Sequence, residues 1–155
     1  MIKKHTIGKL INFLFLDDVL KDDIIFLKKI ILFHGLPKRA LAKIALIIFK
    51  KTYFPGEKIY KINQEANVFY IIRNGQIKLT ENNLNKVIET ENFFGEISLI
   101  ENRNHTNEAL ALKESELYLI YRAKFENMVS SNIKIGFKVM KNLASLFATK
   151  NSSVL

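Results

Sequence analysis

The sequence predicts a mixed fold in which helices enclose an antiparallel β sandwich or jelly roll, and three observations carry that prediction. Apolar residues recur at helical spacing towards both ends of the chain, and they alternate at a period of two through its middle. Proline, glycine and asparagine pairs cut the middle part into short apolar runs. The 155 residues, 48% of them hydrophobic, are enough for one ordinary domain with a real core and leave no room for a second.

The elements follow in order. Lys3, Lys4 and Lys9 precede the apolar run Leu10 to Leu16, which contains Asn12 and ends at Asp17-Asp18. It lacks a small-residue cleavage site and is too short to span a bilayer, so a helix of a cytoplasmic protein without a membrane span is expected. Leu10, Phe13 and Leu14, then Ile24, Leu27, Lys28 and Ile31, give two N-terminal helical segments broken near Asp17-Asp18 and Asp22-Asp23. The acidic pairs suit the first turn of a following helix, where the dipole favours negative charge. Gly35 and Pro37 mark the next boundary, and Leu41, Ile44, Ala45 and Ile48 predict a helix running to about Phe49.

The period then changes to two. Thr52-Tyr53-Phe54 leads into the Pro55-Gly56 turn, and Lys58-Ile59-Tyr60 follows as a strand. Val68 to Ile72 is β-branched and aromatic throughout, and Asn74-Gly75 after it reads as a type I′ hairpin leading to Gln76–Thr80. Asn82 to Asn85 makes another turn and Lys86-Val87-Ile88 another strand, with Ala109–Leu112 and Leu117–Tyr121 as the last two. From Lys124 to about Thr149 the spacing is helical again.

Five segments in this order resemble the cyclic nucleotide-binding domain family, from about Leu27 to about Lys150. They are Phe26–Ile30 with Leu32–Leu36, Tyr53-Phe54-Pro55-Gly56-Glu57, Phe69–Ile72 with Gly75, Phe94-Gly95-Glu96-Ile97-Ser98-Leu99, and Ser115-Glu116-Leu117. The resemblance implies an α+β fold: an eight-stranded antiparallel β jelly roll, or double-stranded β-helix, flanked by N-terminal helices and a C-terminal helix pair. On that reading residues 1–35 form an N-terminal helical segment, and residues 36–155 the β-roll with its C-terminal helices.

The resemblance also assigns a ligand site. Phe94-Gly95-Glu96-Ile97-Ser98 looks like the start of the family's phosphate-binding cassette. Gly95 lets the backbone turn sharply without a Cβ in the way, and the short helix begun by Glu96, Ile97 and Ser98 offers N–H groups to an anion. In the family the glutamate takes the ribose 2′-hydroxyl, and Leu99 and Ile100 would anchor the turn. Ten positions after Gly95, an arginine normally grips the cyclic phosphate with two charge-assisted bonds.

This chain has His105 at that position, with Asn104 where a proline is usual, Thr106 after it, and Asn107 and Glu108 in place of small neutral residues. Histidine cannot reproduce the arginine fork. Losing a charged hydrogen bond of about 1.5–3 kcal/mol weakens binding by roughly one to two orders of magnitude. Thr106 retains a hydroxyl donor, and Arg103, two residues upstream, is a candidate displaced clamp. The expected ligand-binding set is therefore Gly95, Glu96, Ile97, Ser98, Arg103, His105 and Thr106.

Other features bound the function. The net charge of +9 comes from 24 Lys and Arg against 15 Asp and Glu, and it draws anions. The lysines are scattered, and no helix-turn-helix region follows, so no DNA-binding domain is expected in this chain. There is no cysteine, which excludes disulfides and thiolate metal sites. His5 and His34 have no partner at metal-ligand spacing, so no metal and no cofactor beyond the nucleotide ligand is expected. No nucleophile–base pair or paired carboxylates appear, and the reading is not an enzyme.

Ile133, Phe137, Met140, Ala144 and Phe147 follow an a/d spacing on the last helix, widened by Val139, Leu143 and Leu146. A homodimer or partner-protein contact is expected there. Two functions follow from the whole: a stand-alone regulatory module for cyclic AMP, cyclic GMP or a related anionic nucleotide, with a weakened phosphate site, or a degenerate domain that binds no nucleotide and serves as an interaction or dimerisation module.

Overall fold

The computed structural model describes residues 20–152. The first expected helical segment, around Leu10 to Leu16, and His5 lie outside the described residues. The chain groups into two compact units, one made of residues up to Leu46 together with those from Lys134 onward, the other of Ile47–Ile133.

The first unit is helical. Helix α1 spans Lys21–Leu27, with Asp22 and Asp23 in its first turn, where the positive dipole end favours them, and with Ile24, Phe26 and Leu27 buried. A single 3₁₀ turn, Ile31–Phe33, follows with Leu32 and Phe33 buried. Pro37 caps helix α2 (Lys38–Ala45) in an extended conformation, and its carbonyl accepts the N–H groups of Ala40 and Leu41. This helix stops at Ala45 instead of running to Phe49. Ile48 and Phe49 instead open a strand, whose backbone bonds and β-branched preference outweigh helix continuation.

The last helix, α4 (Ile133–Ser152), belongs with this unit from Lys134 onward. It buries Ile135, Val139 and Leu143. Asn142 on the same helix donates its amide to the carbonyls of Leu32 and His34, at 2.9 and 3.0 Å. The expected a/d seam is not the buried face: Ile133 is 74% and Phe137 69% exposed.

The second unit is an eight-stranded antiparallel roll. One sheet has the order β1-β8-β3-β6, with β1 Ile48–Tyr53, β3 Val68–Asn74, β6 Phe93–Phe94 and β8 Ser115–Tyr121. The other has the order β2-β7-β4-β5, with β2 Lys58–Tyr60, β4 Gln76–Glu81, β5 Leu84–Glu89 and β7 Glu108–Ala111. Alternation sends Val68, Tyr70 and Ile72, Leu117 and Leu119, and Ala109 and Ala111 into one core with Tyr53, Ile59, Ile77, Ile88 and Phe94. The period-two reading thus located most of the strands, whereas β6 was not expected and β2 departs from strict alternation.

Two turns differ from expectation. Asn74-Gly75 does not close a hairpin, because β3 and β4 lie in different sheets and the chain turns a corner there. Gly75, at φ +125°, is required by crowding: a Cβ would sit 2.1 Å from the Ser115 hydroxyl. The two-residue hairpin is instead Asn82-Asn83 between β4 and β5, both at positive φ (49° and 63°), flanked by the Glu81–Leu84 pair.

After β8 the chain forms helix α3 (Arg122–Ser130), which buries Phe125 and Met128, and Asn132 follows before α4 begins. Among the described residues no helix is long and apolar enough to cross a membrane.

Candidate functional site

A small half-open cleft of about 110 Å³ opens where the turn after β6 meets the segment before β7. Gly95, Glu96, Ile97 and Ser98 line one side of it; Arg103 to Asn107 line the other, with Tyr60 and Ala66. All seven residues expected from the sequence therefore meet in one place. The volume is below the roughly 300–1,000 Å³ of pockets that enclose a whole small ligand, so it suits a phosphate-sized group with the rest of the molecule outside.

The first wall is set by Gly95, left-handed at φ 71°, ψ 19°, which caps a 3₁₀ turn over Glu96–Leu99. A Cβ there would lie 2.9 Å from the Val68 carbonyl oxygen and 3.2 Å from the Tyr70 ring, so only glycine fits both the dihedral and the space. Leu99 is buried and holds the turn in place, whereas Ile100, expected to share that task, is half exposed. The Ser98 N–H donates to the Gly95 carbonyl at 3.0 Å, which removes one donor from those the turn was expected to offer an anion. The Ser98 hydroxyl is fully buried and has no hydrogen-bond partner. Glu96 is half-buried on the cleft wall.

The second wall is a strand-like segment stitched to residues 63–66. The Asn63 N–H donates to the His105 carbonyl (2.9 Å), the His105 N–H donates to the Gln64 carbonyl (2.8 Å), and the Ala66 N–H donates to the Arg103 carbonyl (2.9 Å). Arg122 braces this strip by donating to the Ala66 carbonyl and to the Asn102 side chain, each at 3.1 Å. Arg103 is exposed and pairs with Glu101 at 3.2 Å. Glu108, expected to place negative charge near the phosphate site, is instead bonded to Lys58 at 2.9 Å; that hydrogen bond holds its carboxyl below the usual range.

His105 is the unexpected element. It is 7% exposed and lies flat on the Tyr60 ring, with centroids 3.5 Å apart and planes 5° apart. Burial lowers its pKa below the ordinary histidine value, which keeps the ring neutral near pH 7. Tyr60 donates its hydroxyl to the Asn107 side-chain oxygen at 3.0 Å and sits 5.8 Å from Tyr70 and 6.0 Å from Phe94. Burial first, then Tyr70 and the carboxylates of Glu96 and Glu81, pushes its phenol well above the ordinary range. An aromatic column thus runs from the core under Gly95 out to His105.

Tyr60 was not assigned to the site from the sequence because strict alternation turns it away from the core. The register of β2 against β7 shifts between Lys58 and Tyr60, and this bulge lets Ile59 and Tyr60 both point inward. No sequence signal marks the bulge. Among the described residues no cluster of three His, Cys, Asp or Glu could hold a metal ion.

Residues 50–132, more than half of the chain, match the family described as "Cyclic nucleotide-binding domain". Among solved structures, the catabolite activator protein of Thermus thermophilus superposes with a TM-score of 0.69 at 21% identity, over 80% of this chain and 59% of that one. A cyclic nucleotide-binding-like protein of Brucella abortus is 25% identical, with a TM-score of 0.61 over 70% of this chain and 98% of that one. The regulatory domain of Toxoplasma gondii PKA, crystallised with cAMP, gives a TM-score of 0.70 at 19% identity, over 83% of this chain and 49% of that one. The chain thus spans about half to three-fifths of two of these three proteins.

Proposed function

Because this chain belongs to the cyclic nucleotide-binding domain family, we propose that it is a regulatory, non-enzymatic module that takes a cyclic nucleotide or related anionic nucleotide in this cleft. The observation that carries the reading is convergence: Gly95 to Ser98 and Arg103 to Thr106, from separate segments, line the same small space. On this reading Glu96 accepts the ribose hydroxyl, while Thr106 and a cation from Arg103 or His105 meet the phosphate. Ligand preference for one arrangement of the module over another is what makes it a switch.

Calorimetric titration with cyclic AMP, cyclic GMP and a cyclic dinucleotide tests it. Micromolar binding that Glu96→Ala abolishes is the expected result. Silence from the natural protein and from His105→Arg alike would overturn the reading.

One observation favours the second reading, a module that no longer binds nucleotide. The His105 ring is packed against Tyr60 inside the wall, where the family's arginine would reach for phosphate. Under that reading Glu96→Ala leaves partner binding intact. Both readings use the last helix, whose exposed Ile133 and Phe137 form an apolar stripe suited to a second copy or a partner protein. Light scattering on a Phe137→Glu variant tests the dimer, which requires the natural protein to have twice the mass of the variant.

A further inference from the structure

We infer that His105 is the anion-contacting group of this cleft and acts as an imidazolium, so that each anion bound is accompanied by the uptake of one proton. This rests on the nucleotide reading above and adds its regulation. The charged side chains around the cleft are mostly committed elsewhere. Arg122 is bonded to Ala66 and Asn102, Lys58 to Glu108, and Arg103 lies in an exposed ion pair with Glu101. Glu96 contributes a carboxylate to the cleft wall, which an anion entering without a compensating positive charge would meet.

His105 is the buried group on the wall that can supply that charge. Its backbone is bonded on both sides to the 63–66 segment, so the ring is held in position. Its stacking on Tyr60 offers an aromatic face to a cation. The groups facing it from the surrounding elements fit this role. Tyr60 on β2 is uncharged, Glu65 is engaged by Arg122 at 3.8 Å, and Glu108 is held by Lys58. Glu96 lines the opposite wall of the cleft, and Arg103 pairs with Glu101 on its own segment.

In the free protein burial keeps the ring neutral, and a bound anion reverses that preference. The balance is simple: neutral imidazole, one proton from solvent and one anion give an imidazolium–anion pair. By linkage, affinity falls about tenfold for each pH unit raised between the free and the bound pKa. The site would then hold its ligand more firmly as the surroundings acidify.

The experiment uses the whole chain and cyclic AMP, whose single diester charge does not titrate near neutral pH. Calorimetry at pH 5.5, 6.5 and 7.5, in buffers of different ionisation enthalpy, counts protons taken up, and NMR follows the His105 imidazole with and without ligand. We expect one proton per ligand, affinity strongest at pH 5.5, and an imidazole pKa that rises on saturation. His105→Arg should bind with no proton uptake and a flat pH profile. Binding by the natural protein without proton uptake overturns this inference and leaves the nucleotide reading standing. So does silence at pH 5.5 from the natural protein while His105→Arg binds. Silence from both proteins at every pH removes the nucleotide reading together with the inference.

Discussion

Gly95→Ala separates two physical reasons for a glycine, because Gly56 provides a matched control. Both have positive φ, 71° and 85°, so an alanine at either meets the left-handed penalty of about 1–2 kcal/mol. Both substitutions also gain the same few tenths to about 1 kcal/mol from a less flexible unfolded chain. The surroundings differ. Nothing lies within 4 Å of a Cβ at Gly56, whereas one at Gly95 would lie 2.9 Å from the Val68 carbonyl, a backbone atom of a paired strand that cannot swing aside. Such crowding costs about 1–3 kcal/mol more. Urea unfolding followed by far-UV circular dichroism measures both, which suits a chain without tryptophan. With a slope of about 1–3 kcal/mol per molar urea, the Gly95→Ala midpoint should fall below that of Gly56→Ala by roughly 1 M, with the slope unchanged. Equal midpoints would refute the crowding argument and leave only the dihedral.

The remaining predictions are smaller. Tyr60→Phe removes the hydrogen bond to Asn107 and should cost about 0.5–1.5 kcal/mol, with a double-mutant cycle against Asn107→Ala returning most of that as coupling. His105 has a folded pKa below its unfolded value, so the unfolded chain binds more protons in that window. Stability should therefore fall as pH drops through and below about 6.5, and His105→Gln should remove that slope in denaturant titrations. Glu108 acts in the same direction at lower pH: its folded pKa is depressed too, so it gives stability that is present above the unfolded value and is lost as pH falls through the folded one. NMR titration should find it more acidic than an ordinary glutamate, and Lys58→Ala should remove most of that difference, leaving the smaller pull of Lys78 and Lys61. Asn83→Gly, at a left-handed hairpin position with φ 63°, should raise stability by about 0.5 kcal/mol in the same urea assay.

Some of this molecule was legible in the sequence and some was not, for reasons that differ by residue. The run Val68 to Ile72 was legible as a strand, because β-branched and aromatic residues favour extended backbone. Which of its faces enters the roll's core was not legible, since the run is apolar throughout and buried on both sides. Asn74-Gly75 misled because backbone tolerance of positive φ is a local property. It says that the chain can turn sharply, and it says nothing of whether the next strand pairs with the last or crosses to the facing sheet. The run from Ile47 to Phe49 fitted the apolar face of the preceding helix, yet pairing with β8 claimed Ile48 and Phe49 for a strand. In the cleft, Gly95 to Ser98 were readable from a motif and His105 from its spacing after Gly95, whereas Arg103 was suggested only by its nearness to His105. Tyr60 depends on a one-residue bulge and on a ring that reaches it from 45 positions away, neither of which leaves a mark on local sequence.

The pairing of β1 with β8 governs how this roll must come together in time. Ile48 meets Ile120 and Tyr53 meets Ser115, contacts 72 and 62 positions apart along the chain. Closing loops of that size is slow, and folds dominated by such distant partners acquire their structure late and all together. During synthesis the carbonyl of Val68, against which Gly95 is fitted, belongs to a strand whose neighbour β8 is the last to leave the ribosome. A nascent chain halted before Ser115 therefore carries every residue that lines the cleft and still lacks the strand that holds its floor in place.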